Sequence, residues 1–413
     1  MTARRLLAAA ALSIGCNVTP LSPEGGASLP ARGDCPTGLA VVSSDYFSSE
    51  IALLAPDGEP ASASLVSSAS SAATGLAAAF SGDIAAFAVP SRPGELAIVD
   101  SFATNVISFV DTRTAEVRAQ LPVGTGFEAN AQGYLELDEQ RALVTRLGEN
   151  AEPGREPFDA GSDLLLIDPS APQVIGSVPL PRKDGFIPAP SAATLVNDDV
   201  LVTLQHARPG FSGMAEGELV AFSRASLEPR YRLPLSDSKN CGKVELSPSR
   251  TVLAVACEGY IDRRGAPVEP ETSALVLLDP GHDPPTIKRR FSALELFGGP
   301  IQATLEFVTE QLVLLKTQTA LGARQDNQLF SLHLETGAIV HLASAERDAN
   351  GAGVGIAFGG MSCGSGCGDP CLVCDRSRGS VLRFRLRGAA LEADAPIVIH
   401  GAGLPPLGIA QFW

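Results

Sequence analysis

Four of the chain's eight cysteines fall within CGSGCGDPCLVC (Cys363–Cys374), spaced C-x3-C-x3-C-x2-C. Thiols this close admit two kinds of chemistry: ligation of zinc or an iron–sulfur cluster, or local disulfides. Common zinc sites use two well-separated ligand pairs, which this spacing does not reproduce, and no C-x-x-C-H haem signature is present. Disulfides are the expected state in an oxidising compartment, with zinc and redox chemistry as alternatives. Cys363 and Cys371 are the expected bridging residues. The full connectivity among Cys35, Cys363, Cys367, Cys371 and Cys374 stays open. A separate pair, Cys241 and Cys257, brackets a hairpin centred on the SPSR turn (Ser247–Arg250). That symmetry sets the two sulfurs face to face and predicts a bridge.

Other reactive side chains are sparse. The five histidines are His206, His282, His333, His341 and His400. None belongs to an H-E-x-x-H motif, and G-x-S-x-G and P-loop sequences are missing. No catalytic residue and no metal ligand set is assigned. His333, in an apolar strand, is expected to be a core histidine.

The elements that would position these residues repeat. Seven short apolar segments begin at Ile51, Ile107, Leu164, Leu219, Leu275, Leu329 and Val381, spaced by 52 to 57 residues. Each is β-prone and runs into a turn, so one supersecondary unit is repeated. The second unit divides into DIAAFAVP, ELAIVD, VISFVD and EVRAQLPVG, four strands separated by turn residues. Four antiparallel strands per repeat make a propeller blade, and the inner strands are apolar because both blade faces pack on neighbours. The fold class is therefore all-β, a seven-bladed β-propeller over 35–413. The first repeat lacks an opening strand, whereas the chain ends on a strand with nothing after it, LGIAQFW. That strand is expected to complete blade one and close the ring, with Trp413 in the core. Ring closure also brings Cys35 beside blade seven, within reach of the cysteine cluster.

Loops between second and third strands share one face of such a ring. They are long in blades three to six and carry Arg146, Arg155, His206, Arg208, Tyr260, Arg263, Arg264 and Arg324. Long loops on a rigid scaffold are where binding resides. Arginines here, in a chain of net charge −15, point to a protein or anionic partner. The candidate ligand-binding residues are Arg146, His206, Arg208, Tyr260, Arg263, Arg264 and Arg324. Asp159 and Asp163 in the blade-three loop fall short of the ligand ladder of a calcium loop. No cofactor is expected, with calcium or zinc as the minor possibilities. The acidic balance excludes nucleic acid as a partner.

MTARRLLAAAALSIGC opens on Arg4 and Arg5, followed by a Leu6–Ile14 apolar run too short to span a bilayer. Gly15-Cys16 after that run resembles a bacterial lipoprotein signal. Ser13 stands where the family usually has leucine. The resemblance implies a signal peptide over 1–15, lipidation of Cys16, and a polar tether over 16–34. Asn17 after the cysteine implies the outer membrane rather than the inner one. Membrane contact would be through the lipid anchor only. The segments FVDTRTAEVRAQLPVG and LLIDPSAPQVIGSVPL resemble YVTN-type propeller repeats of bacterial surface and envelope proteins. The repeated Asp becomes Ser223, His333 and Arg385 in the fourth, sixth and seventh units. The whole arrangement resembles envelope lipoproteins. Three readings follow: a non-enzymatic, envelope-anchored binding or assembly module; a propeller enzyme of lactonase or metal- or quinone-dependent dehydrogenase type; and a purely structural surface protein. Glu136, Glu245 and Glu306 are the inner-strand acids available to the enzymatic reading.

Overall fold

The computed structural model describes residues 35–70, 75–261, 267–318, 327–346, 357–364, 367–399 and 403–413. The signal segment 1–15, the tether 16–34 with Cys16, and Arg263, Arg264 and Arg324 lie outside these residues.

Seven antiparallel sheets form the ring. Blades two to six each take four strands in chain order, interrupted only in blade five by a small hairpin, and each opens on its innermost strand: Ile84–Ala88, Ala131–Asp138, Pro190–Val196, Cys241–Leu246 and Ile301–Phe307. Blade seven opens on Phe358–Cys363, and its outer edge is split into Ala390–Ala393 and Ile397–Val398. Blade one takes Gly38–Ser44, Ser49–Leu54 and Pro60–Ser67 from the start of the ring and Pro406–Phe412 from its end. The terminal strand is the innermost one, with Ala40 opposite Ala410 and Gly38 opposite Phe412.

The core is seven apolar layers, one between each pair of neighbouring blades. Along Gly38–Ser44, Ala40 and Val42 face blade two while Leu39 and Val41 face blade seven. Second and third strands bury both faces and so read as unbroken apolar runs. Innermost strands are less completely buried, as in Ala131–Asp138, because one of their edges meets the central channel. Phe412 is fully buried, whereas Trp413 is only half-buried. The core aromatic of the closing strand is thus Phe412, one residue earlier than expected. The strand ends at Phe412, and the Trp413 backbone oxygen instead accepts the Gly94 N–H at 2.6 Å.

The repeated Asp closes the outer hairpins. Asp111 Oδ1 accepts the N–H of Arg113 and Thr114 at 2.8 Å each, and Asp168 Oδ1 accepts that of Ser170 at 2.8 Å. Ser223 Oγ takes the Ser226 N–H at 3.3 Å and His333 Nδ1 the Thr336 N–H at 3.4 Å. Ser223 and His333 thus keep an acceptor at the same turn, whereas Arg385 lies within the strand Ser380–Arg387 and donates instead to Asp394 Oδ2 at 2.6 Å. His333 is accordingly half-buried at a turn, not enclosed in the core.

Candidate functional site

Three disulfides form: Cys241–Cys257, Cys363–Cys371 and Cys35–Cys367. The first two join residues directly opposite each other on paired strands. The third pins the start of the ring to the first turn of blade seven, on the face opposite the long loops. Cys374 keeps a free, fully buried thiol, which burial pushes up to about 12. With Cys363, Cys367 and Cys371 committed to bridges, the cluster cannot act as a zinc or iron–sulfur site.

The long loops of blades three, four and five form one body. Leu147, Ile187, Ala189, Ala207 and Met214 make a separate apolar cluster beneath them, with Phe211 and Tyr260 packed against it. The blade-five loop adds a small hairpin, Tyr260–Ile261 paired with Pro267–Glu269. Ile187 and Met214 both bridge to Ala207, tying the connection into blade four to its own long loop.

The sequence-derived site residues separate inside this platform. Arg146 is completely buried. Its Nε and Nη2 bond the two Asp163 oxygens at 2.7 Å each. Nη1 bonds Thr125 Oγ1 at 2.7 Å and the Val123 carbonyl at 3.3 Å, and Nη2 also bonds the Phe158 carbonyl at 2.6 Å. All five donors of a guanidinium are thereby used. Arg146 holds the blade-three loop together and has nothing left for a ligand. Asp159 is equally committed, accepting the N–H groups of Gly154, Arg155 and Glu156 at 2.8–3.1 Å. This loop is closed on itself through both acids that sequence made available to calcium.

His206 is also fully buried, with Nε2 3.0 Å from Glu218 Oε2. Arg232 completes the group with two 2.9 Å bonds to Glu218. Burial alone would raise the Glu218 carboxyl, but hydrogen bonds from His206 and Arg232 and the Arg232 charge hold it down at about 2. His206 Nδ1 has no hydrogen-bond partner. Of the described candidates, Arg208 and Tyr260 reach the surface. Arg208 is exposed and stacks on Phe186 at 5.3 Å, and Tyr260 is half-buried. The same loops carry more acids than bases, and two arginines of this region are paired, Arg155 with Glu152 and Arg182 with Glu149.

A second polar group lines the central channel. Lys243 Nζ sits 2.9 Å from Glu245 Oε2 and bonds Glu306 across the junction of blades five and six. These side chains keep some accessible surface while enclosed by protein, so the water they meet is that of the channel. Burial, then the Glu245 charge, pushes Glu306 up to about 7 against the pull of Lys243. Lys316, fully buried in the second strand of blade six, donates to the Phe358 carbonyl at 3.4 Å and to that of Gly359. Burial lowers it to about 8. Glu258, just past the second strand of blade five on the long-loop face, accepts the Asn240 Nδ2–H at 2.6 Å. Burial lifts it to about 7, opposed by that bond and by Lys316. Among the described residues, no three His, Cys, Asp or Glu side chains converge as metal ligands.

Glu258 yields a pH prediction. Its folded value lies above the ordinary carboxylate value, so its contribution is fully present below that ordinary value. It is lost as pH rises through about 7. Glu258→Gln keeps an acceptor for Asn240 and removes the charge. Its melting temperature is expected to rise by about 1–3 °C near pH ~8.5 and to show no gain near pH ~5. Parallel thermal melts at the two pH values check this, and an equal shift at both would remove Glu258 ionisation as the cause.

No family model and no curated protein matches the chain. Solved structures do resemble it in fold. The periplasmic gluconolactonase of Pseudomonas aeruginosa is 9% identical with a TM-score of 0.57, over 91% of this chain and 99% of that one. A putative 6-phosphogluconolactonase from Bacteroides uniformis is 10% identical with a TM-score of 0.55, over 90% and 98%. A hypothetical selenium-binding protein from Sulfolobus tokodaii is 9% identical with a TM-score of 0.57, over 92% and 94%. The chain is a seven-bladed β-propeller. At these identities the likeness shows architecture and carries no activity with it.

Proposed function

We propose that this propeller is a non-enzymatic binding or assembly module of the bacterial cell envelope, anchored through a lipid on Cys16, that engages a protein partner on its long-loop face. The observation that carries the reading is the fusion of three long loops over their own apolar cluster. A rigid, preformed platform binds without paying to order its loops. Export is supported by the three disulfides, which persist in oxidising compartments. The cysteine accounting supports the anchor. Six cysteines are paired and Cys374 is buried, so no described thiol remains accessible to Cys16.

The test is crosslinking of the anchored protein in native envelopes, with mass spectrometry of captured species. Wild type is compared with a variant carrying Arg208, Arg263, Arg264 and Arg324 changed to Ala. A partner captured by wild type and lost in the variant is the expected result. Capture of nothing by either protein would count against the reading. A lactonase-like enzyme is the second reading, favoured by one observation: Lys243, Glu245 and Glu306 gather on the innermost strands of blades five and six, an acid–base group of the kind general acid or base chemistry uses. Turnover of a lactone panel that Glu306→Gln abolishes would support it.

A further inference from the structure

The short turns of blades one and two, on the long-loop face, carry aromatic side chains that the fold does not use. Phe47 is 89% exposed and Phe102 60% exposed. The two turns are held side by side. Tyr46 bridges to Gly82, and the Ser101 N–H bonds the Asp83 carbonyl at 2.9 Å. Phe47 and Phe102 therefore flank one short segment, about 10 Å apart by two chain spacings. The Phe47 turn is rigid. Asp45 Oδ1 accepts the N–H of Phe47 at 2.9 Å and of Ser48 at 2.7 Å, and Tyr46 sits at φ +69°. A Cβ on Gly82 would come within 2.0 Å of the Tyr46 carbonyl carbon, so only glycine lets the segments touch. Asp45 makes the turn; any polar residue at position 47 would serve it. A phenylalanine held out in water on a fixed turn has the form of a preorganised anchor.

The surroundings select the partner's charge. Asp45, two residues before Phe47, is exposed, and Asp83, whose carbonyl accepts the Ser101 N–H next to Phe102, is half-exposed. Arg376 from blade seven stands 4.9 Å over the Tyr46 ring and donates to its hydroxyl at 3.2 Å, so an aromatic ring of this rim already accepts a guanidinium. Acids interleaved with open ring faces favour lysine and arginine beside apolar side chains, through ion pairs and cation–π contacts. They disfavour anionic lipid.

We propose that the rim formed by Phe47, Phe102, Asp45 and Asp83 docks a polypeptide segment that presents basic side chains around an apolar anchor. The proposal rests on the reading of the protein as a binding module and names a second contact zone for it. The test uses the full chain and three synthetic peptide probes: one mixing lysine with leucine and tryptophan, one with glutamate replacing lysine, one with serine replacing the apolar residues. Fluorescence anisotropy reads affinity for wild type and for Phe47→Ser/Phe102→Ser. The basic–apolar peptide is expected to bind wild type, more weakly as salt rises, and about tenfold or more weakly to the double variant. Both rings are exposed, so the variant should melt as wild type does. The proposal is overturned if the variant binds equally, if the glutamate peptide binds as well, or if no peptide binds. Binding to phosphatidylcholine vesicles without peptide preference would overturn it in favour of a membrane contact. If no peptide binds while envelope crosslinking still captures a partner through the blade three to five loops, this proposal falls and the binding-module reading stands.

Discussion

Truncation after Pro405 is expected to leave no cooperatively folding product, and Phe412→Ala alone to cost about 3–5 kcal/mol. The terminal strand Pro406–Phe412 is the innermost strand of blade one, paired along the whole of Gly38–Ser44. Its removal strips the inner edge from that strand and opens the ring between blades one and seven. Phe412 is buried in the layer between blades one and two, with Leu96, Ile98 and Phe80 in the same cluster. A Cβ on Gly38 would lie 2.4 Å from its Cζ, so the ring fills the space left by the missing side chain opposite. Truncation to alanine leaves a cavity that this backbone cannot collapse into. Denaturant unfolding followed by far-ultraviolet circular dichroism measures both variants. A truncated chain that unfolds with wild-type midpoint and slope would mean the other blades hold the ring without closure.

Arg146→Ala is expected to destabilise the fold by about 3–5 kcal/mol, whereas Arg208→Ala should change stability by less than about 0.5 kcal/mol. Both arginines belong to the long-loop face, and sequence gave no ground for treating them differently. Removing the buried guanidinium strands the Asp163 carboxylate and takes the donor from the Val123 carbonyl, while the Phe158 carbonyl keeps only the Thr125 hydroxyl at 3.0 Å. Unpaired buried groups carry the full desolvation penalty. Arg208 has no such network and can affect only what binds from outside. Denaturant midpoints for the two variants test the split. A small effect at Arg146 would mean that loop water takes over the guanidinium's role.

Strand and blade positions were legible because they depend on local pattern. The apolar period recurs in every unit and gave seven blades, and the strand missing from the first unit and left over after the last gave the closing strand. The Cys241–Cys257 bridge was legible for a related reason, since a hairpin fixes its own register. Cys363 and Cys371 were likewise expected to bridge and do so, but the partner of Cys35 stayed open. Cys35 and Cys367 are separated by 332 residues and meet only after the ring has closed. The fate of each candidate side chain was not legible. Arginine on a loop looks the same in sequence whether it faces water, like Arg208, or turns inward to bind five acceptors, like Arg146. The exposed Phe47 and Phe102 passed unnoticed because phenylalanine in a β-rich chain reads as core.

The sequence alone determined the architecture and the order of the strands. These follow from periodicity and backbone preference, which act over a few residues at a time. Only the tertiary structure decided which polar side chains are spent inside the protein and which remain for a partner. That choice depends on how loops from different blades pack together: Leu147, Ala207 and Tyr260 meet in one cluster only when three blades stand side by side. Desolvation then acts on every charge beneath them, holding Arg146 and His206 inside and leaving Arg208 and the two phenylalanines at the surface.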